Sequence, residues 1–183
     1  MEKYTLINTE PVIRTFMGKW VNVFEPTLEM FDIKDIAHAL SQQCRFSGHL
    51  SQFYSVAQHS IQCYRQANAR GYDKKEQLTA LMHDCSEAYL VDIPRPIKGE
   101  FAQYKVIENK LMLFLSTAFK FNWPLSDNIK DIDNLMLQME WDHLMIKRRD
   151  INPIDRLQVY SITHTEQLFL EIFNELTSNN LKK

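Results

Sequence analysis

From residue 32 onward, apolar residues recur at three- and four-residue spacing, the period of helix faces laid on a common core rather than of strands. Behind Asp32, the segment IKDIAHAL puts Ile33, Ile36, Ala37 and Leu40 on one face. Ser55 and Gln58 form a capping pattern that opens VAQHSIQCYRQANAR, and Gly71 closes it. Asp73 and Glu76 repeat that pattern ahead of KKEQLTALMHDCSEAYL, which predicts one continuous helix. Pro94 and Pro96 forbid helix across DIPRPIK. A long helix over 101–120 turns Phe101, Tyr104, Ile107, Leu111, Phe114 and Leu115 inward, and Trp123-Pro124 marks its end. Ser126 or Asp127 caps a further helix running to about residue 148, and Thr163 with Glu166 caps the last one. Six helices with short connections predict an all-α bundle. It forms one domain over 1–183, with an irregular N-terminal arm at 1–31 and a helical core at 32–178.

Composition narrows the partners. With 45% hydrophobic and 24% charged residues, the chain has the make-up of a globular domain. A net charge of −2 and the lack of a basic, aromatic-rich stripe speak against nucleic acid or an anionic membrane as the partner. Recognition of a small anion needs only a few local cations. Cys44, Cys63 and Cys85 form no CxxC pair and read as reduced core thiols in a cytoplasmic setting. No apolar run is long enough to span a bilayer, and the first residues have no signal-peptide core.

One segment departs from the pattern. In LMHDCSEAYL the apolar residues Leu81, Met82, Cys85 and Ala88 share a helix with His83, Asp84 and Glu87. A buried carboxylate beside a buried imidazole is costly unless something offsets their polarity. Adjacent His83 and Asp84 could converge on one ion beside the helix, with Glu87 one turn on. Further ligands must come from elsewhere: His59 inside the Ser55-capped helix, and Asp133 beside the Ile129, Ile132, Met136 stripe. Two imidazoles and two carboxylates suit a divalent first-row metal with positions left for water and substrate. Taken singly and on spacing alone, a histidine here is more often a packed or surface residue than a ligand, and an aspartate or glutamate more often a solvated helix-face charge.

Three ordered blocks carry a resemblance. YSVAQHS (54–60), LMHDCSEAYLVDIPRPIK (81–98) and IKDIDNL (129–135) resemble the signature motifs of HD-domain phosphohydrolases, in the branch related to bacterial 5′-deoxynucleotidases. RFSGHLSQFYSVAQHS, after DIKDIAHALS, is more similar still to small HD hydrolases of bacteriophages, among them dATP triphosphohydrolases. The resemblance spans roughly residues 15–150. It implies His59, His83, Asp84 and Asp133 as metal ligands, with Asp131 as the register alternative to Asp133. It implies Glu87 as the catalytic carboxylate and Asp92 as a catalytic aspartate that positions water or sugar. Arg45 matches an arginine that grips substrate phosphate, a task suited to a planar guanidinium.

The remaining substrate contacts are looser. His49 stands near Arg45 as a second phosphate contact. Lys98, with Arg95 and Lys105, could extend a polyphosphate path. Trp20 in the arm could stack on a purine, while Ile93 and Pro94 could meet the base by shape. The expected cofactor is a divalent transition metal (zinc, cobalt or manganese), with magnesium possible on the triphosphate. The expected activity is hydrolysis of dATP to deoxyadenosine and triphosphate, with 5′-deoxynucleotidase action on monophosphates as the alternative. Relatives of this kind are commonly homo-oligomers. Outside that class stand an HD-type oxygenase with two irons, for which no further ligand set is evident, and a non-catalytic helical interaction module.

Overall fold

The computed structural model describes residues 11–146 and 157–178. The fold is all-α, joined by one small hairpin. The arm is more ordered than its sequence suggests: β1 (Val12–Arg14) and β2 (Trp20–Asn22) pair antiparallel, with Ile13 opposite Val21. Gly18, at φ +81°, supplies the left-handed turn between them. Part of the expected arm, residues 1–10, lies outside the described residues, as do residues 147 and 148 of the fifth predicted helix.

Among the described residues eight α-helices follow: α1 (Ile33–Gln42), α2 (Val56–Ala69), α3 (Lys74–Met82), α4 (Glu87–Leu90), α5 (Arg95–Lys98), α6 (Ala102–Phe119), α7 (Asp127–Glu140) and α8 (Ile162–Thr177). Six of them have nine residues or more, as the periodicity predicts; α4 and α5 are single turns. Side-chain caps set four starts where expected. Asp32 accepts from Lys34 N–H, Ser55 from Gln58, Asp73 from Glu76 and Ser126 from Ile129.

Four boundaries differ from the sequence reading, each for a local reason. The last helix is capped by Ser161 through the His164 N–H, so Thr163 falls inside it. Burial on α6 begins at Leu111, which leaves Phe101 exposed. A helix does form across RPIK, because Pro96 takes a first-turn position where its missing N–H is not needed. The fourth difference, and the one of most consequence, is at the HD pair. The helix stops at Met82, and the chain continues through tight turns in which Cys85 N–H bonds Met82 O and Glu87 N–H bonds Asp84 O, each 3.0 Å. His83 Nδ1–H donates to Ala80 O at 2.8 Å and so occupies the carbonyl that the Asp84 N–H would take in a continuing α-helix. Three-residue turns then stack Asp84 and Glu87 on one side.

At the centre lies α2, packed against α1, α3, α7 and α8. Val56, Ala57, His59, Ser60, Ile61 and Cys63 are all fully buried, so the first two turns of this helix have no solvent face to give them a clean stripe. One core joins Ile36, Leu40, Ile61, Leu81, Leu111, Leu115 and Phe169. A smaller one joins Cys63, Ala67 and Ala80 to Ile129, Ile132 and Met136 of α7. That second core brings α7 against α2 beside His59.

Candidate functional site

The two buried imidazoles meet edge to edge. His59 Nε2 lies 3.2 Å from His83 Nε2, with the ring centroids 5.1 Å apart. Each ring is held from behind. His59 Nδ1–H donates to Glu140 Oε1 at 2.6 Å, and His83 Nδ1–H donates to Ala80 O. Both Nε2 atoms thereby face the same point, to carry protons shared with Asp84 and Asp133 or to offer their lone pairs to an ion in place of those protons.

Two carboxylates complete the cluster. Asp133 Oδ1 is 3.2 Å from His59 Nε2 and 3.8 Å from His83 Nε2. Asp84 Oδ2 is 3.2 Å from His83 Nε2 and 3.7 Å from His59 Nε2. Donors about 2.0–2.2 Å from a common ion stand roughly 3–3.5 Å from one another, so these spacings suit a shared centre. Asp133, not Asp131, takes this position; Asp131 points to solvent from α7. Burial would raise both carboxyls, but the imidazoles against them outweigh it and hold Asp84 and Asp133 well below the usual carboxylate range.

A thiol adjoins the same cluster. Cys63, one helical turn beyond His59, brings Sγ to 3.5 Å from His59 Nε2. His59, Cys63 and His83 form a buried group, with ligand atoms within 4.8 Å of one another, that could hold a metal ion. The sequence reading left Cys63 among the core thiols. Its signal was the four-residue spacing from His59, which places the two on one helix face.

Glu140 is the other residue not anticipated. It is fully buried, accepts from His59 Nδ1 and also accepts from Arg45 Nε at 2.9 Å. Burial pushes its carboxyl up, and Arg45 and His59 more than reverse this. A signal existed: Glu140 continues the Ile129, Ile132, Met136 stripe, a charge at a core position. Arg45 is itself buried, with NH1 3.6 Å from Asp84 Oδ2, rather than a solvated surface cation. Although burial favours its neutral form, Glu140 and Asp84 hold it firmly protonated.

In front of this cluster opens a cavity of about 1040 Å³, lined by Arg45, His49, Asp84, Glu87, Asp92, Ile93, Pro94, Lys98 and Asp133 together with Phe46, Trp141 and Met145. Glu87 lies at its buried side with Oε1 3.7 Å from Lys98 Nζ and Oε2 without a hydrogen-bond partner. Burial first, then Asp84 and Asp92, push the Glu87 carboxyl well above the ordinary glutamate value. Asp92 is likewise raised by burial. Gln43 ties the two together, donating to Glu87 O at 2.9 Å and accepting from Asp92 N–H at 3.3 Å. Arg95, also on the cavity wall, donates to Asp133 Oδ2 at 3.0 Å and Asn134 Oδ1 at 2.8 Å.

Two of the named substrate residues, Trp20 and Lys105, are left out of the cavity lining. Trp20 sits on the hairpin, 53% exposed, beneath the Arg14 guanidinium. The aromatic side of the cavity is instead Phe46 and Trp141, whose ring centroids are 6.2 Å apart. Of the four non-glycine residues with positive φ among those described, Phe46 and Ser47 follow Arg45, and Val91 precedes Asp92. Backbone strain of this kind persists where surroundings over-determine it, commonly at functional sites. Of the other histidines, His49 lines the cavity, whereas His38 stacks on Phe16 and pairs with Glu166, and His143 donates to Met139 O. Among the described residues, no helix is long and apolar enough to cross a membrane.

Comparison with known proteins adds lineage. No family model matches the chain. It is 33% identical over 174 residues to the uncharacterized protein YfdR of Escherichia coli (strain K12), covering 90% of this chain and 95% of that one. It is 28% identical over 141 residues to an uncharacterized protein of Rhodobacter capsulatus, covering 72% of this chain and 71% of the relative. At that identity, and over nearly the whole of both chains, the protein belongs to the same family as YfdR.

Proposed function

We propose that this protein is a metal-dependent deoxynucleotide phosphohydrolase of the HD-domain type, acting on dATP to give deoxyadenosine and triphosphate. The observation that carries this reading is the convergence of His59 Nε2, His83 Nε2, Asp84 and Asp133 at one wall of a cavity that also presents Arg45 and Lys98. Both imidazoles have Nδ1 engaged and Nε2 turned to the same point, the arrangement a divalent ion requires of histidine ligands. Asp84 and Asp133 reach the cavity, whereas Cys63 belongs to the apolar cluster behind it, so the carboxylates are the preferred partners of the two histidines.

A divalent transition ion held there would lower the pKa of a water and neutralise charge on a phosphoryl oxygen. The chain supplies the rest. Arg45 and Lys98 offer fixed positive charge to the phosphates, in a recess where such charge counts for more than in water. Glu87 holds a proton more readily than an exposed glutamate, which suits an acid that protonates O5′ as the P–O5′ bond breaks. Asp92 stands beside it, at the place expected for a residue that orients water or sugar. Phe46, Trp141, Ile93 and Pro94 form the apolar wall against which a base can lie.

The test is a panel of the four dNTPs and four dNMPs with the metal-loaded protein, products separated by chromatography. Preferred conversion of dATP to deoxyadenosine and triphosphate is expected. Pyrophosphate or single phosphate as the first product refutes triphosphohydrolase action. Selective hydrolysis of dAMP makes the protein a 5′-deoxynucleotidase with the same centre. A protein that binds no metal and turns over none of the eight is an interaction module.

A further inference from the structure

We infer that Glu140 is a positioning residue that couples the phosphate-gripping arginine to the metal-binding histidine, acting on both through the two oxygens of one buried carboxylate. The inference rests on the metal-centre reading above and extends it to a residue that touches neither ion nor substrate.

The geometry is specific. Oε1 accepts from His59 Nδ1 at 2.6 Å and Oε2 accepts from Arg45 Nε at 2.9 Å. Glu140 is fully buried, so two donors rather than water stabilise its charge. Asp133 and Glu140 are seven residues apart on α7, two turns on one face, and they address opposite nitrogens of the same imidazole. One helix thereby sets the His59 ring from both ends. A carboxylate on Nδ1 fixes the tautomer that leaves Nε2 to the ion, and raises its basicity. Bonding at Nε fixes the plane of the Arg45 guanidinium and turns its outer edge toward Asp84 and the cavity. A π-helical turn, Trp141–Met145, follows at once, and its Leu144 O accepts from Ser51 N–H at 3.0 Å, which ties the loop after Arg45 to the end of α7.

Only a carboxylate can do both tasks. A glutamine has one acceptor oxygen for two donors, so its amide NH₂ must face either His59 Nδ1–H or Arg45 Nε–H. Glu140→Gln is therefore close in shape yet disruptive to orientation.

The experiment measures two equilibria on purified wild type and Glu140→Gln: uptake of cobalt(II) alone, and binding of inorganic tripolyphosphate to the cobalt-loaded protein. Glu140→Gln is expected to weaken cobalt binding about 10–100-fold, the usual effect of removing a carboxylate behind a ligating histidine. It is also expected to weaken tripolyphosphate binding about tenfold or more, although Glu140 reaches neither probe. In an Arg45→Ala background, Glu140→Gln should still weaken cobalt and should no longer change tripolyphosphate binding. Wild-type cobalt affinity in folded Glu140→Gln overturns the inference, as does a tripolyphosphate loss that persists without Arg45. If Glu140→Gln does not fold, nitrogen-15 NMR of zinc-loaded wild type decides. Protonated Nδ1 and ion-bound Nε2 at His59 support the coupling, and ion-bound Nδ1 overturns it. Wild type that takes up no cobalt refutes the metal-centre reading along with this one, whereas normal uptake insensitive to Glu140→Gln refutes this one alone.

Discussion

Glu87→Gln is expected to slow turnover and steady the fold at the same time. The Glu87 side chain is buried, its Oε2 has no hydrogen-bond partner, and Lys98 is engaged more closely by Glu108 than by Glu87. An unsatisfied buried polar atom costs about 1–3 kcal/mol, and more when it is charged. The neutral amide still leaves one polar atom unpaired, so the recovery lies near the low end, about 1 kcal/mol. For a chain of this size that corresponds to a rise in Tm of about 2–4 °C.

The pH dependence follows from the direction of the shift. Burial, Asp84 and Asp92 raise the folded-state pKa of Glu87 above its ordinary 4.5. An acid raised on folding contributes stability that is fully present below its unfolded pKa and is lost as pH rises through the folded one. Wild type and Glu87→Gln should therefore melt alike in acid, and the variant should lead increasingly toward neutral pH. Melts of metal-free protein across that range, with rates on the loaded protein, test both halves. Turnover should fall by roughly 10²–10⁴ while metal is retained. A Glu87→Gln protein less stable than wild type at neutral pH would refute the reasoning and make the carboxylate an anchor for Lys98. A stability difference independent of pH would do the same.

Other expectations concern the centre and the cavity. His83→Ala and Asp133→Ala should lose a tightly held transition ion with the helical circular dichroism retained, while Cys63→Ser should keep it; metal analysis that finds the ion lost only from Cys63→Ser would transfer the ligand role to the thiol. Arg45→Lys keeps the charge but loses the Nε donor to buried Glu140. A charge-assisted bond of about 1.5–3 kcal/mol is at stake, so both Tm and kcat/KM should drop, the latter about tenfold or more; a normal Tm with impaired kinetics would make the guanidinium a pure ligand contact. Trp141→Ala, on a side chain 43% exposed in the cavity wall, should raise KM for the nucleotide with little change in kcat, and Trp20→Ala should be silent. A KM increase confined to Trp20→Ala would put the base on the hairpin side.

The helical class and most helix starts were legible in the amino-acid sequence, because those are settled by residues close together along the chain. Asp32, Ser55, Asp73 and Ser126 each bond an N–H two or three residues ahead, so the cap is written in one short window. Where two hydroxyls fell in one window, as at Ser161 and Thr163, the window alone could not choose. The imidazoles and carboxylates of the cluster were legible as candidates through their motifs. Their mutual placement was not, since each letter serves equally as a solvated charge.

Which charges went inside was settled by packing between distant segments. Arg45 and Glu140 are 95 positions apart, and His59 and Glu140 81 apart, so no local pattern announces either pair. The end of α3 at Met82 likewise depends on where the His83 ring turns, and that is set by the helix packed against it. Trp20 and Trp141 are alike as residue types, and both are part-exposed in the fold. The packing of α7 beside α2 is what puts one on the cavity wall and leaves the other on the hairpin, because burial and direction are properties of contacts between distant segments.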